Sequence, residues 1–345
     1  MKRINIVTVD GYFGQSLPTE NTLNVKEIST KLVTSGYCVD IVDIESVARD
    51  GIDPSSIYLV GSHQNKAVKK YIDGVLSVIS SLKNIDVIPR VELILAHENK
   101  GLQSIIAREL RLPLISQDYK LSSEYNSRSS KKQSVIKLID GSGSEGVFIA
   151  SSDINLFNAL LKRSVRELSL NNLIYIFKEK IKSTFFRQRI NVDARKYFGL
   201  KIPYVEQDYI KGLNFDYKVL VFFNKVFVLK RNTRKNDFRA SGSGLFEFID
   251  VGDELLEFSL NVRERLSCPY VSIDVIWDVG ECKYRVVEFQ CVHFGPYTQM
   301  NAPHYYIKKD DGSWNKVKNK TCIEDLIADS VVRYLDNEKN STVHT

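Results

Sequence analysis

Apolar positions recur along the first 95 residues in two alternating patterns. Short runs at 4–9, 38–44, 57–60 and 91–95 read as strands, while 25–33 and 67–82 read as helices. In the longer of these, Val75, Leu76, Val78 and Ile79 fall at helical spacing. Strand and helix in alternation predict a small parallel sheet.

The pattern changes further on. A helix is expected at 102–110, followed by a polar stretch at 116–133, rich in Ser, Lys and Asn, which reads as a mobile segment or exposed connection. Two strands at 134–139 and 147–150 flank a glycine-serine loop and predict a hairpin, and helical patterns fill 153–168 and 173–182. From residue 204 strands dominate: 204–210, 218–223, 225–230, 271–277 and 285–289, with a tight turn at 222–225 between the second and third. An antiparallel sheet with helices against it is the expectation.

Composition narrows the class. At 345 residues, with 43% apolar and 26% charged positions, the chain has material for two or three folded, soluble lobes. Its net charge of +6 is spread along the chain, which suits either phosphate-bearing ligands or a plain solvated face and nucleic acid less, and no nucleic-acid signature accompanies it. Five cysteines without a CxxC pair argue against a disulfide framework or a zinc knuckle. The opening apolar run is too short for a signal peptide and no 18-residue apolar stretch follows, so a cytoplasmic protein without a membrane span is expected.

Three groups of residues carry chemistry. The loop Asp140–Gly146 packs Gly141, Gly143 and Gly146 around Ser142 and Ser144; it is either a plain flexible turn or a loop whose N–H groups approach phosphate oxygens. Lys137, within the apolar strand entering it, faces either solvent or an anion in a cleft. Next, Asp274 on one strand and Glu288 with Gln290 on the following one converge if the strands are adjacent, since side chains alternate with period two. Three oxygen donors suit Mg²⁺ bound to phosphates, although each carboxylate alone also fits a strand edge. Finally, Lys230–Arg234 and Asp237–Gly244 place cations beside a second glycine-serine loop, which is either a basic surface hairpin or a polyphosphate contact.

Taken in order, these elements resemble the ATP-grasp superfamily, over roughly residues 97–292. The resemblance implies an α/β (α+β) ATP-grasp fold: an N-terminal parallel-sheet domain at 1–95, a central lobe with a helical insertion at 96–203, an antiparallel-sheet lobe at 204–335 and a tail at 336–345. It implies that Lys100, in the phrase HENKG, and Lys137 touch ATP phosphates and that Gly141, Ser142, Gly143, Ser144 and Gly146 close over them. By the same resemblance Gln207, Asp208, Tyr209 and Ile210 would form the hinge strand at adenine with Asn214 nearby, and Lys218, Arg231 and Arg239 would surround the phosphates and the reacting acyl group. Asp274, Glu288 and Gln290 would hold Mg²⁺ or Mn²⁺, with Gln290 standing where the superfamily usually has Asn.

The activity so implied is carboxylate–amine ligation through an acyl phosphate. The phrases HENKG and NDFRASGSG are also similar to ATP-grasp proteins that accompany bacterial surface-polysaccharide genes, which suggests a polysaccharide precursor or a small amino acid as substrate. A phosphotransferase of the same fold and a non-catalytic ATP-binding regulator are the alternatives, and a homodimer is left open. His293, Tyr297, His304, Tyr305 and Trp314 either line an acceptor pocket for a sugar or peptide or pack in the core.

Overall fold

The computed structural model describes residues 2–14, 22–83, 85–123, 133–139, 146–151, 155–164, 170, 173–174, 177–178, 181–182, 196–197, 199–235, 239–292 and 294–342. The chain divides into two compact units, the larger formed by residues 1–97, 106–114 and 213–345, the smaller by 98–105 and 115–212.

The larger unit opens with β1 (Arg3–Thr8), α1 (Val25–Thr34), β2 (Cys38–Asp43), α2 (Ile44–Asp50), β3 (Ile57–Val60), α3 (Lys66–Leu82), β4 (Asp86–Ile88) and α4 (Val91–Leu95). Its four strands form a parallel sheet in the order β2-β1-β3-β4. Alternate residues serve two cores. Ile4, Ile6, Ile57, Leu59 and Ile88 pack to one side, Val7, Tyr58, Val60 and Val87 to the other. Burial on both faces explains why these strands read as unbroken apolar runs.

The expected strand at 91–95 is instead the helix α4, and the fourth strand lies just before it at Asp86–Ile88. Pro89 has no N–H for a ladder, so the strand stops there, and the following VELIL run buries Leu93 and Ile94 on one helical side.

Helix α5 (Lys100–Glu109) begins in the smaller unit and ends in the larger. The smaller unit continues with β5 (Gln117–Ser123), β6 (Ser134–Leu138), β7 (Val147–Ala150), α6 (Leu156–Ser164) and β8 (Lys201–Asp208), its antiparallel sheet running β5-β8-β6-β7. The predicted hairpin at 134–150 is present as β6 paired with β7. Residues 117–123, expected as a mobile connection, are a strand on the sheet edge, whose exposure accounts for the polar composition. Ile136, Leu138, Phe148, Ala150, Ile202 and Tyr204 cover one face with α6. Of the expected helices, 173–182 lies mostly outside the described residues.

The remainder of the larger unit comprises β9 (Phe215–Phe222), β10 (Lys225–Asn232), β11 (Phe246–Glu247), α7 (Asp253–Leu266), β12 (Tyr270–Asp278), β13 (Lys283–Gln290), α8 (Tyr297–Asn301), β14 (His304–Lys308), β15 (Trp314–Lys318) and α9 (Ile323–Thr342). The strands form an antiparallel sheet, β13-β12-β9-β10-β14-β15, with β11 on β10. The predicted turn at 222–225 joins β9 and β10. One face buries Val219, Val221, Val226, Val228, Val271, Ile273 and Val275 against α7. The other carries Leu220, Phe222, Phe227 and Tyr270 into the core that β1, α1 and α9 share.

In the hairpin β14–β15 two of the C-terminal aromatics pack in the core. Tyr305 stacks on Phe227 with ring centroids 5.1 Å apart, and Trp314 packs at the α7 core while donating Nε1–H to Glu257 at 2.9 Å. His293 lies outside the described residues. Among the described residues no helix is long and apolar enough to cross a membrane.

Phe227 is fully buried and meets Phe222 edge-on at 5.8 Å as well as Tyr305. Phe227→Ala is expected to destabilise the larger unit by about 3–5 kcal/mol, read as a lowered midpoint in denaturant unfolding.

Candidate functional site

The face of the antiparallel sheet that is aromatic at Phe222, Phe227 and Tyr270 becomes charged a few residues along the same strands. Register fixes this. Lys218 on β9 pairs with Asp274 on β12, which pairs with Glu288 on β13, so the three lie side by side. Ser272 pairs with Gln290 one step away on the same face. On the other flank Asp216 pairs with Arg231 of β10.

A register shift in β13 opposite Asp274 and Val275 makes this arrangement work. Val286 and Phe289 both reach the α7 core although they stand three positions apart, which an unbroken period of two forbids. The extra residue, Val287, restores alternation so that Glu288 and Gln290 share the polar face.

Arg231 organises the charges. Its Nε and one Nη donate to the two Asp216 oxygens at 2.7 and 2.8 Å, and that Nη also reaches Asp274 Oδ2 at 2.8 Å. Lys218 Nζ lies 3.0 Å from Asp274 Oδ1. Two cations thus balance two carboxylates in a largely buried row. Burial pushes the Asp274 carboxyl up, but Arg231 and Lys218 outweigh it and hold Asp274 well below the usual carboxylate range. Asp216 moves the other way because burial dominates there. Burial opposes the charge on Arg231, and Asp274 with Asp216 more than restores it.

Ser272 Oγ is buried within this face and has no hydrogen-bond partner among the described residues. A buried hydroxyl without a partner is unusual and marks a place where water or a ligand oxygen fits.

The smaller unit holds a second cluster. Lys137 on β6 and Gln207 on β8 share the face opposite the α6 core, through the pairs Lys137–Val205 and Val135–Gln207. Lys100, at the start of α5, donates its backbone N–H to the carbonyl of Ile139 at 3.2 Å, which sets it beside the end of β6. Both lysines are buried, at 7% and 6% exposure. Gly101 is required here: a Cβ would lie 2.5 Å from the Tyr119 ring of β5, so only glycine lets α5 approach the sheet this closely.

No protein-family model and no curated protein matches the chain. Solved structures do. The ATP-grasp ligase PsnB complexed with minimal precursor superposes with a TM-score of 0.50 at 13% identity, covering 96% of this chain and 99% of that one. D-cycloserine synthetase DcsG superposes with a TM-score of 0.52 at 10% identity, again over 96% and 99%.

The fold is that of the ATP-grasp ligases.

Within this ATP-grasp fold the sequence-predicted residues separate cleanly. Lys218, Arg231, Asp274, Glu288 and Gln290 share one face of the larger unit. Arg239 is half-buried in the loop after β10, and exposed Asn214 precedes β9, its carbonyl accepting the Thr233 N–H at 2.8 Å. In the smaller unit Lys137 and Gln207 share one face of the sheet, and the backbone of Lys100 lies beside the end of β6. Asp208 ends β8, exposed, with its N–H donated to Ser116 at 2.9 Å; half-buried Tyr209 and Ile210 lie beyond the strand, which was expected to continue to residue 210. Gly141, Ser142, Gly143 and Ser144 lie outside the described residues, while Gly146 adopts φ +73° with the Leu138 side chain 2.8 Å from where a Cβ would stand.

Asp216 was missed, although it carried a signal, since it stands two residues before Lys218 and so shares its face.

Asp274, held ionised in the folded chain, contributes stability that is present above the ordinary carboxylate pKa and lost as pH falls through and below it. Denaturant unfolding at pH 5 and pH 3 is expected to show a smaller acid-dependent loss for Asp274→Asn than for the native chain. An equal loss in both would remove Asp274 as a source of acid sensitivity.

Proposed function

We infer that this chain is an ATP-dependent ligase that joins a carboxylate to an amine, releasing ADP and phosphate. The observation that carries this reading is the cross-strand row Lys218–Asp274–Glu288 with Gln290 beside it, in the fold of ATP-grasp ligases. That both fold relatives are a ligase and a synthetase favours bond formation over phosphoryl transfer alone.

The donor set fits Mg²⁺ or Mn²⁺. Two carboxylates and an amide oxygen are hard ligands, and partnerless Ser272 Oγ lies on the same face. Asp274, Glu288 and Gln290 are the ligands, Asp274 being held in place by Arg231 and Lys218. When bound, the metal neutralises phosphate charge and helps orient the transferring group.

The residues do the rest. Lys100 and Lys137 hold phosphate oxygens of the nucleotide, and the loop ending at Gly146 closes over them. Gln207, Asp208, Tyr209 and Ile210 receive the base, with Asn214 next to the following strand. A substrate carboxylate oxygen attacks the γ-phosphorus as the bond to the ADP oxygen breaks, giving an acyl phosphate. The amine then attacks the acyl carbon and inorganic phosphate leaves. Arg239 faces the transferring phosphoryl group. Arg231 acts chiefly as a positioning residue for Asp274, although its other Nη group makes no hydrogen bond with the described residues and remains able to meet a phosphate. The carboxylate belongs to an amino acid, a peptide or a polysaccharide precursor, and the reaction is assigned to the cytoplasm, where ATP is available.

ADP release, measured with panels of carboxylates and amines, is expected to require both partners and Mg²⁺ or Mn²⁺. Glu288→Gln is expected to abolish turnover while Gln290→Asn retains it. Full ADP release with a hydroxyl or carboxylate acceptor and no amine would indicate a phosphotransferase. Nucleotide binding without turnover under every acceptor would indicate a regulator.

A further inference from the structure

An exposed aromatic pair stands beside the charged row of the antiparallel sheet. Phe246 on β11 pairs in register with Arg231 on β10, so it shares the face that carries Asp216, Lys218 and Asp274. Its neighbour Glu247 pairs with Lys230 and reaches it at 3.1 Å on the reverse face. Alternation along this two-residue strand therefore turns the Phe246 ring to the side of the site.

Tyr297 of α8 meets Phe246 with ring centroids 5.2 Å apart and planes at 58°. Of the C-terminal aromatics it is the one that stays at the surface: Tyr297 is 39% and Phe246 38% exposed, whereas Phe222, Phe227 and Tyr270 on the same sheet face are almost wholly buried. Met300, one helical turn beyond Tyr297, is exposed as well. Two rings left in water forgo burial that a further apolar group can supply, and a tilted pair offers it both a face and an edge.

The neighbouring charge narrows what that group belongs to. One Nη of Arg231 makes no hydrogen bond with the described residues and is able to hold an anionic oxygen. Phe246 is one strand spacing away, about 5 Å. A carboxylate at Arg231 and a ring on Phe246 are then as far apart as the two ends of an aromatic α-amino acid. A sugar acid suits the place less, since its hydroxyls need polar partners and Phe246 and Met300 supply none.

We propose that Phe246 and Tyr297 form a specificity subsite for the carboxylate substrate, receiving an aromatic amino-acid side chain whose carboxylate lies at Arg231. This rests on the ligase reading and narrows its carboxylate to an aromatic amino acid, free or at the end of a peptide.

The test is ATP-dependent hydroxamate formation by the full chain, with hydroxylamine as the amine that captures the acyl phosphate and releases phosphate. Phenylalanine, tyrosine, tryptophan, alanine and glucuronic acid are the carboxylates. At least one aromatic acid is expected to exceed alanine and glucuronic acid by about tenfold or more in kcat/KM. Phe246→Ala should bring that preference over alanine to within about twofold, chiefly through KM for the aromatic acid, with KM for ATP unchanged. Tyr297→Phe keeps the ring and should keep the preference. Use of alanine or glucuronic acid as well as every aromatic acid overturns the proposal, as does an unchanged preference in Phe246→Ala or an equal loss on all carboxylates. Binding of Mg-ATP with no hydroxamate from any of the five acids also overturns it and leaves the ligase reading standing. No binding of Mg-ATP overturns the ligase reading, and the proposal with it.

Discussion

The guanidinium of Arg231 is what lets two carboxylates stand in the face of a sheet that is otherwise aromatic and aliphatic. Asp216 takes it in a two-pronged pair and Asp274 takes the remaining reach of one Nη. A buried carboxylate without a cation is strongly unfavourable, and removing one partner of such a pair commonly costs about 3–5 kcal/mol. Lys218 completes the neutralisation, so Asp274 stays ionised although little of it meets solvent. Glu288 lies half-buried beside Asp274 on the neighbouring strand, where the proposed divalent cation would draw on both carboxylates.

Position follows from the sheet as much as from charge. The same strands that carry Asp216, Lys218 and Asp274 bury Leu220, Phe222 and Tyr270 on the same face, anchoring the polar residues to one of the largest cores in the chain. The register shift at residue 287 settles the last strand, since it satisfies the α7 core with Val286 and Phe289 and still turns Glu288 and Gln290 to the polar side. A site built on strands in this way keeps its geometry better than one built on loops.

Much of this was legible in the sequence where periodicity and chemistry agreed. The strands from 218 to 289 stand out as apolar runs, and Asp274 and Glu288 were expected to converge if their strands were adjacent, which they are. Lys137 stood out as a cation in an apolar run. Legibility ended where local pattern and tertiary context diverge: VELIL is as apolar as a strand but follows Pro89, and residues 117–123 look like a linker because an edge strand is half wet. The pairing of Asp216 with Arg231 depends on contact between neighbouring strands, which no single motif encodes.

The central claim of the proposed function is that the chain binds ATP together with a divalent metal. Equilibrium binding of a nonhydrolysable ATP analogue to the full chain, with and without Mg²⁺, tests it most directly. One analogue per chain, bound about tenfold or more tightly when Mg²⁺ is present, is the predicted result. Binding that ignores Mg²⁺, or no binding at all, would contradict the account.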